Sequence, residues 1–177
     1  MSKPMINLAD APLRTEQSGE HFAHTIAPLA GSLGAKLIGT NVTRVPPGKA
    51  AWPLHHHYAN EEHFFILSGT GKLRVGDAVH AVRQHDYIVN PAGGTEVAHQ
   101  LINTGTEDLV YLAISTLISP EVVGYPDSAK TGVRSAAVGQ PGEFFLIPET
   151  AKRMRNAEEY WRGEDGAQVA AVVARGK

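Results

Sequence analysis

The chain has 177 residues, enough for one ordinary domain with a continuous core and short for two. Apolar residues make up 42%, charged residues 19% and the formal net charge is -2, a balance that suits a soluble globular protein and offers no basic surface to nucleic acid. Cysteine is absent, which excludes disulfides, iron–sulfur clusters and thiolate zinc sites, so any metal must be held by nitrogen and oxygen.

The opening MSKPMINLAD lacks the apolar run of a signal peptide, and no stretch approaches the roughly eighteen apolar residues that spanning a bilayer needs. A cytoplasmic protein with no membrane partner is the expectation. Residues 1–34 mix Pro, Gly and polar residues around Phe22 and Ile26, and are expected to form an extension that wraps the body of the protein or adds an outer strand. From residue 35 onward, turn signals recur at close spacing: Pro46-Pro47-Gly48, Gly69-Thr70-Gly71, Gly76-Asp77, Pro91-Ala92-Gly93-Gly94 and Thr104-Gly105. Between them lie short runs rich in Val, Ile, Phe and Tyr, over 36–45, 62–67, 72–75, 79–83, 86–89, 98–103 and 109–116. None is long enough for a well-formed helix, so the rhythm predicts an all-β protein with one antiparallel barrel over residues 35–117.

Residues 118–177 read as a C-terminal extension. Pro120, Pro126 and Pro141 mark a long excursion that ends in the apolar Phe144-Phe145-Leu146-Ile147. One short helix is expected over 148–161, opened by Pro148 and stopped by Gly163, with Ala151, Met154, Ala157 and Trp161 on a core-packing stripe. The basic run Lys152-Arg153-Met154-Arg155 reads as a solvated face.

Nine histidines are a rich supply, and three stand together at 55–57. Alternation along an extended strand puts His55 and His57 on one face and His56 on the other, so the outer pair can converge on one ion. Glu62 follows a turn through Tyr58-Ala59-Asn60 that can bring a carboxylate beside the imidazoles. An isolated His-x-His is a weak signal, because surface histidines beside a Glu-Glu pair also form solvated loops. Here the pair is preceded by Pro47-Gly48 and followed by an acidic residue, an apolar strand, Gly69 and a distant strand with its own histidine.

The stretch from Gly48 to Gly69 resembles the first conserved motif of the cupin superfamily: Gly, His-x-His, Glu, Gly. The stretch from His85 to Asn103 resembles the second, which runs Gly, Pro-x-Gly, His, Asn. The resemblance implies a double-stranded β-helix, or jelly-roll, barrel. It also implies that His55, His57, Glu62 and His99 point inward as ligands of one divalent transition metal (Fe, Mn, Ni, Zn or Cu), with Pro91 and Gly93 in the turn before the last ligand strand. Homodimers are frequent in such proteins. Tyr125-Pro126-Asp127-Ser128 and Tyr160-Trp161-Arg162-Gly163-Glu164 are similar to segments flanking the barrel in bacterial single-domain cupins of the conserved-barrel "cupin 2" type.

Two departures from the pattern carry weight. His85 stands where the second motif has Gly, and three extra residues separate Gly93 from His99. At the family's usual spacing the fourth ligand position falls on Glu96, so a set with Glu96 in place of His99 is open. His99 is favoured because Asn103 follows at the motif's interval, because 98–103 reads as strand while Gly94-Thr95-Glu96 reads as an enlarged turn, and because two carboxylates would cancel the charge of the ion.

Three neutral imidazoles and one carboxylate leave a divalent ion net positive, which draws an enolate, hydroxy-acid, keto-acid or sugar oxygen. Phe64, Ile66 and Leu101 are the inward neighbours that could line a mostly apolar pocket, with ordinary core packing their stronger reading; Glu96 at the rim could touch substrate. No catalytic residue is identified. Glu61, His56 and His63 point away and are expected to be solvated, while His21, His24, His80 and His85 read as surface or hydrogen-bonded. Trp52, Tyr58 and Tyr87 could each line the mouth. Outward Phe65 and Leu67 suggest a homodimer. A metal-dependent enzyme on a small oxygen-rich or keto/hydroxy-acid-like substrate is expected, with a dioxygenase slightly preferred over a sugar or sugar-phosphate isomerase, because no Lys or Arg can be placed in the pocket. The alternative is a non-catalytic module that binds or senses a small molecule through the metal.

Overall fold

The computed structural model describes residues 4–135 and 142–147, so the helix expected over 148–161 and the segment Tyr160 to Glu164 lie outside the described residues. The N-terminal extension adds a hairpin: β1 (Arg14–Ser18) pairs with β2 (Phe22–Pro28), and β2 pairs with β3 (Ile38–Val45). The chain continues through the short β4 (His56–His57) into β5 (Glu62–Ser68), β6 (Thr70–Val75), β7 (Ala78–Arg83) and β8 (Tyr87–Asn90). Then follow β9 (His99–Ile102), β10 (Leu109–Thr116), β11 (Glu121–Tyr125), β12 (Lys130–Ser135) and β13 (Glu143–Ile147). Neighbours run β1-β2-β3-β10-β5-β8 in one sheet, β13-β12-β11-β4 in a second and β7-β6-β9 in a third. Every strand pair is antiparallel, and among the described residues there is no α-helix. The fold is the all-β, double-stranded β-helix barrel that the motifs imply. No helix among the described residues is long and apolar enough to cross a membrane.

Period-two alternation sets the core. In β5, Phe64 and Ile66 are buried while Phe65 and Leu67 are only partly covered, and in β9 Leu101 turns inward after His99. These inward residues join Val45, Leu73, Val82, Ile88, Leu109, Tyr111 and Ala113 in one cluster. Burying a side chain of the size of Ile66 contributes about 1.5–3 kcal/mol. A second cluster lies on the outside, where Ile6, Leu8 and Ala11 of the N-terminal segment pack with Ala27, Leu29, Val42, Val110, Leu112 and Leu67. Leu67, expected to face outward, is thus covered by its own chain, and Phe65 stacks on the His85 ring.

Two turns show how local chemistry closes the barrel. At Gly69, with φ +84°, a Cβ would lie 2.4 Å from the Asp108 carbonyl oxygen, so only glycine fits. His85 takes the left-handed conformation, φ 74°, in place of the motif's glycine, and the turn is still made: the Arg83 N–H donates to Asp86 Oδ2 at 2.8 Å and the His85 N–H to the Ile66 carbonyl at 2.9 Å. A side chain held there costs about 1 kcal/mol.

The sheet structure continues past residue 117, where the barrel was expected to end. β11 pairs with β4, with Val123 opposite His57 and Gly124 opposite His56, and β12 and β13 extend that sheet. The proline spacing of this stretch reads as an irregular excursion, yet Glu121-Val122-Val123 finds an open edge beside the histidines.

Candidate metal centre

The three consecutive histidines are held extended from both sides. The His55 N–H donates to the His99 carbonyl at 3.2 Å and the His99 N–H returns to the His55 carbonyl at 2.8 Å, an isolated antiparallel bridge that sets β4 against β9. The Gly93 N–H donates to the His57 carbonyl at 2.8 Å. Strand alternation then turns the His55 and His57 rings to one side, edge to face with centroids 5.1 Å apart, and the His99 ring lies 4.6 Å from that of His55.

Glu62, first residue of β5, completes the group. Its Oε2 lies 3.1 Å from His99 Nε2, 3.8 Å from His55 Nε2 and 3.9 Å from His57 Nε2. One donor atom from each of the four residues falls within 4.8 Å of the others. Ligands about 2.0–2.2 Å from a divalent ion stand about 3–4.4 Å from one another, so this set fits a single ion with small adjustment. The far sides of the rings agree: His55 Nδ1 faces the Pro53 carbonyl at 2.9 Å and His99 Nδ1 the Val97 carbonyl at 3.3 Å. A proton on Nδ1 leaves the Nε2 lone pair for a metal.

Burial and the neighbouring groups set the charge states of His57 and Glu62. Burial, with His55 next, pushes the His57 imidazole down to about 4 from 6.5, so it is neutral at pH 7. Burial alone would raise Glu62, but hydrogen bonds from the His55 and His99 rings outweigh it and hold the carboxyl well below its usual range; those bonds need a proton on Nε2, the position a metal ion would take. Neutral imidazole and ionised carboxylate are the forms that bind metal.

Of the residues expected at the site, Phe64 packs its ring 5.8 Å from that of His99, while Ile66 and Leu101 belong to the core behind it. Glu96 stands apart from the cluster: it is exposed, and its Oε1 accepts the Gly94 N–H at 3.0 Å within its own turn. Asn103 is buried and locks the turn between β9 and β10, donating to the Val45 and Glu107 carbonyls at 2.7 and 2.8 Å. Glu61 is exposed as expected and its Oε1 lies 2.6 Å from His63 Nε2, while Tyr87 bonds His63 Nδ1 at 2.6 Å, an outer-face chain away from the site.

His56 corrects an expectation. It points away from the ligands but is 2% exposed, not solvated, because β11 covers it. Its Nδ1 lies 2.9 Å from the Gly93 carbonyl and its ring presses on Gly124. Tyr58 stays exposed beside it, and Trp52 covers the buried His24 ring at 4.1 Å.

Two residues at the site were not singled out from sequence. The Tyr125 ring stacks near His55, centroids 6.3 Å apart, and burial pushes its hydroxyl pKa up. Glu121 is 3% exposed, and its Oε1 accepts the N–H groups of Tyr58 and Ala59 at 3.0 and 3.3 Å while Oε2 accepts the Asn60 amide. For Glu121 the one signal was a lone acidic residue opening an apolar run, Glu121-Val122-Val123; Tyr125 stood in the flanking segment Tyr125 to Ser128 with no site role given to it.

Residues 41–115 match the family model described as "Cupin domain". None of the curated proteins matches the chain. Among solved structures, a protein of Acidithiobacillus ferrooxidans with a provisional sugar phosphate isomerase name is 28% identical, with 76% of this chain and 81% of that one covered at a TM-score of 0.66. A sugar phosphate isomerase of the cupin superfamily from Silicibacter pomeroyi is 19% identical, with 88% and 98% covered at 0.73. A cupin-2 domain protein of Rhodospirillum rubrum is 24% identical, with 64% and 74% covered at 0.53. The last two share the fold with this chain.

Proposed function

The chain is built on a cupin domain, and from that premise we propose that His55, His57, Glu62 and His99 hold one divalent transition-metal ion and that the protein is a metal-dependent enzyme acting on a small oxygen-rich substrate. The observation that carries this reading is the convergence of three imidazole nitrogens and one carboxylate oxygen within 4.8 Å. When bound, such an ion acts as a Lewis acid that polarises a carbonyl or hydroxyl oxygen. Glu62 brings the single negative charge of the set, which keeps the site attractive to an electron-rich oxygen pair. Phe64 shields the His99 side from water, and Tyr125, its hydroxyl kept protonated, stands beside His55 to donate a hydrogen bond to substrate.

Isomerisation of a sugar-type substrate is favoured over dioxygenation. A 28% identical relative carries that name, and the register of the second sheet supports it. Val123 stands opposite both His57 and Gly132, Tyr125 opposite Lys130 and Glu121 opposite Arg134. Opposed residues share a face, as do alternate ones along a strand, so Lys130 and Arg134 stand on the face that carries His57. Both are exposed, and basic groups on that face suit a phosphorylated substrate.

The test is elemental analysis of protein purified without added metal, then a screen of aldose and ketose phosphates under air and under nitrogen. About one ion per chain and oxygen-independent interconversion are expected. Turnover that consumes oxygen would replace the isomerase with a dioxygenase, and a chain that neither carries nor takes up metal would end the reading altogether.

A further inference from the structure

His57 stands apart from its two companion histidines in one respect. The Nδ1 atoms of His55 and His99 face backbone carbonyls, whereas His57 Nδ1 is buried with no hydrogen-bond partner. A buried imidazole N–H left without an acceptor costs about 1–3 kcal/mol. On that side of the ring lies Glu121 Oε1, at 3.8 Å, while Nε2 on the other side faces Glu62.

Glu121 is itself a carboxylate taken out of water, which is costly unless donors meet it. Those donors are the Tyr58 and Ala59 N–H groups and the Asn60 amide, all in the turn that directly follows His57. The carboxylate is therefore anchored one residue beyond the ring it faces. The Tyr58 N–H is shared with the Val122 carbonyl at 3.0 Å and the Ala59 contact is 3.3 Å long, so neither bond engages Oε1 fully and a third donor can join them.

We propose that Glu121 is a positioning residue of the metal centre: by accepting the His57 Nδ1–H, it holds the imidazole in the tautomer whose Nε2 lone pair faces the ion. A turn of the ring that closes the gap from 3.8 Å to about 2.7–2.9 Å, the length of a charge-assisted hydrogen bond, completes the contact. The inference rests on the ligand set of the proposed function, and the segment after residue 117 thereby becomes part of the metal site.

The experiment reads two quantities. Two-bond proton–nitrogen NMR correlations of the metal-free protein at pH 7.5 report which nitrogen of His57 carries the proton, with the resonance assigned by its loss in His57→Asn. Titration with Mn2+, followed by the EPR signal of the free ion, reports affinity. The wild type should show His57 protonated on Nδ1. Glu121→Gln, of the same size but with one accepting oxygen fewer, should lose that preference and bind Mn2+ about 10–100-fold more weakly. A wild-type His57 protonated on Nε2 overturns the proposal. So does a Glu121→Gln protein that binds Mn2+ more weakly with the His57 tautomer unchanged, since Glu121 would then act only by bracing the 58–60 turn. If the wild type takes up neither Mn2+ nor Fe2+, Ni2+, Zn2+ or Cu2+, the proposed function fails, and the tautomer measurement still decides the role of Glu121.

Discussion

Gly124 offers a quantitative test of how the histidine strand is packed. It lies on β11 opposite His56, and a Cβ built there would sit 2.0 Å from His56 Nε2, 2.6 Å from Cε1 and 2.8 Å from Cδ2. The ring is 2% exposed and its Nδ1 is engaged by the Gly93 carbonyl at 2.9 Å, so it cannot swing aside without giving up that bond. Overpacking a core site costs about 1–3 kcal/mol, and leaving a buried polar group unpaired costs about 1–3 kcal/mol. Replacing glycine returns about 0.4–1 kcal/mol through the unfolded chain. Gly124→Ala is therefore expected to destabilise by about 2–4 kcal/mol, a fall in Tm of roughly 5–15 °C for a chain of this size. The assay is thermal and urea unfolding of the metal-free protein in a double-mutant cycle. On a His56→Ala background the new methyl group enters vacated space, and Gly124→Ala should cost little there, with a coupling of about 2 kcal/mol between the sites. Equal costs on both backgrounds, or a single variant within about 0.5 kcal/mol of wild type, would refute the packing argument.

Other predictions follow from the same geometry. Replacing His99 by Ala should abolish metal uptake while Glu96→Ala leaves it intact, read by elemental analysis; loss on Glu96→Ala with retention on His99→Ala would reverse the assignment. His57 is held at about 4 against an unfolded value of 6.5, so the unfolded chain binds more protons between those values. The stability this gives the metal-free protein is fully present above pH 6.5 and is lost as the pH falls toward 4, by at most about 3 kcal/mol; a urea midpoint unchanged between pH 7 and pH 4.5 would contradict it. His85→Gly relieves the left-handed strain but loses the stack on Phe65, and should change stability by less than about 1 kcal/mol in an unfolding experiment, where a large loss would show that the His85 side chain holds the turn. We also propose a homodimer, through the exposed edges at Tyr87 and Val89 of β8 or Phe144 to Ile147 of β13, and sedimentation showing only 19.0 kDa species at micromolar concentration would count against it.

Much of this architecture is legible in the sequence because turn residues and period-two alternation are local signals. The run over 109–116 coincides with β10, and the inward pair Phe64 and Ile66 follows from Glu62 by alternation alone. What alternation cannot say is what lies on the other face. His56 turns away from the ligands as its position dictates, but whether that means solvent or a packed interior depends on β11, nearly 70 residues later in the chain. Glu121 is hidden for the same reason. Its meaning comes from the Tyr58, Ala59 and Asn60 donors it meets, and those contacts bridge 61 to 63 positions of sequence. Leu67 looks like an exposed side chain until the N-terminal segment is folded over it.

The four candidate ligands are drawn from three different sheets, and this decides how the fold and the metal depend on each other. His57 belongs to the sheet with β11, β12 and β13, Glu62 to the six-stranded sheet, and His99 to the sheet with β6 and β7, while His55 reaches His99 through an isolated bridge. An ion at their centre would tie together elements that share few backbone hydrogen bonds at that end of the barrel. Yet each donor is placed by contacts that need no ion: the His55–His99 bridge, the Gly93 bond to His57, and the pairing of Glu62 with Asn90. An ion held by these four residues would add stability to the folded chain by mass action. Dependence then runs from strand pairing to ligand geometry to metal. Substitutions at Gly124 or Glu121, which disturb the packing and placement of the histidine strand, are therefore expected to weaken metal binding.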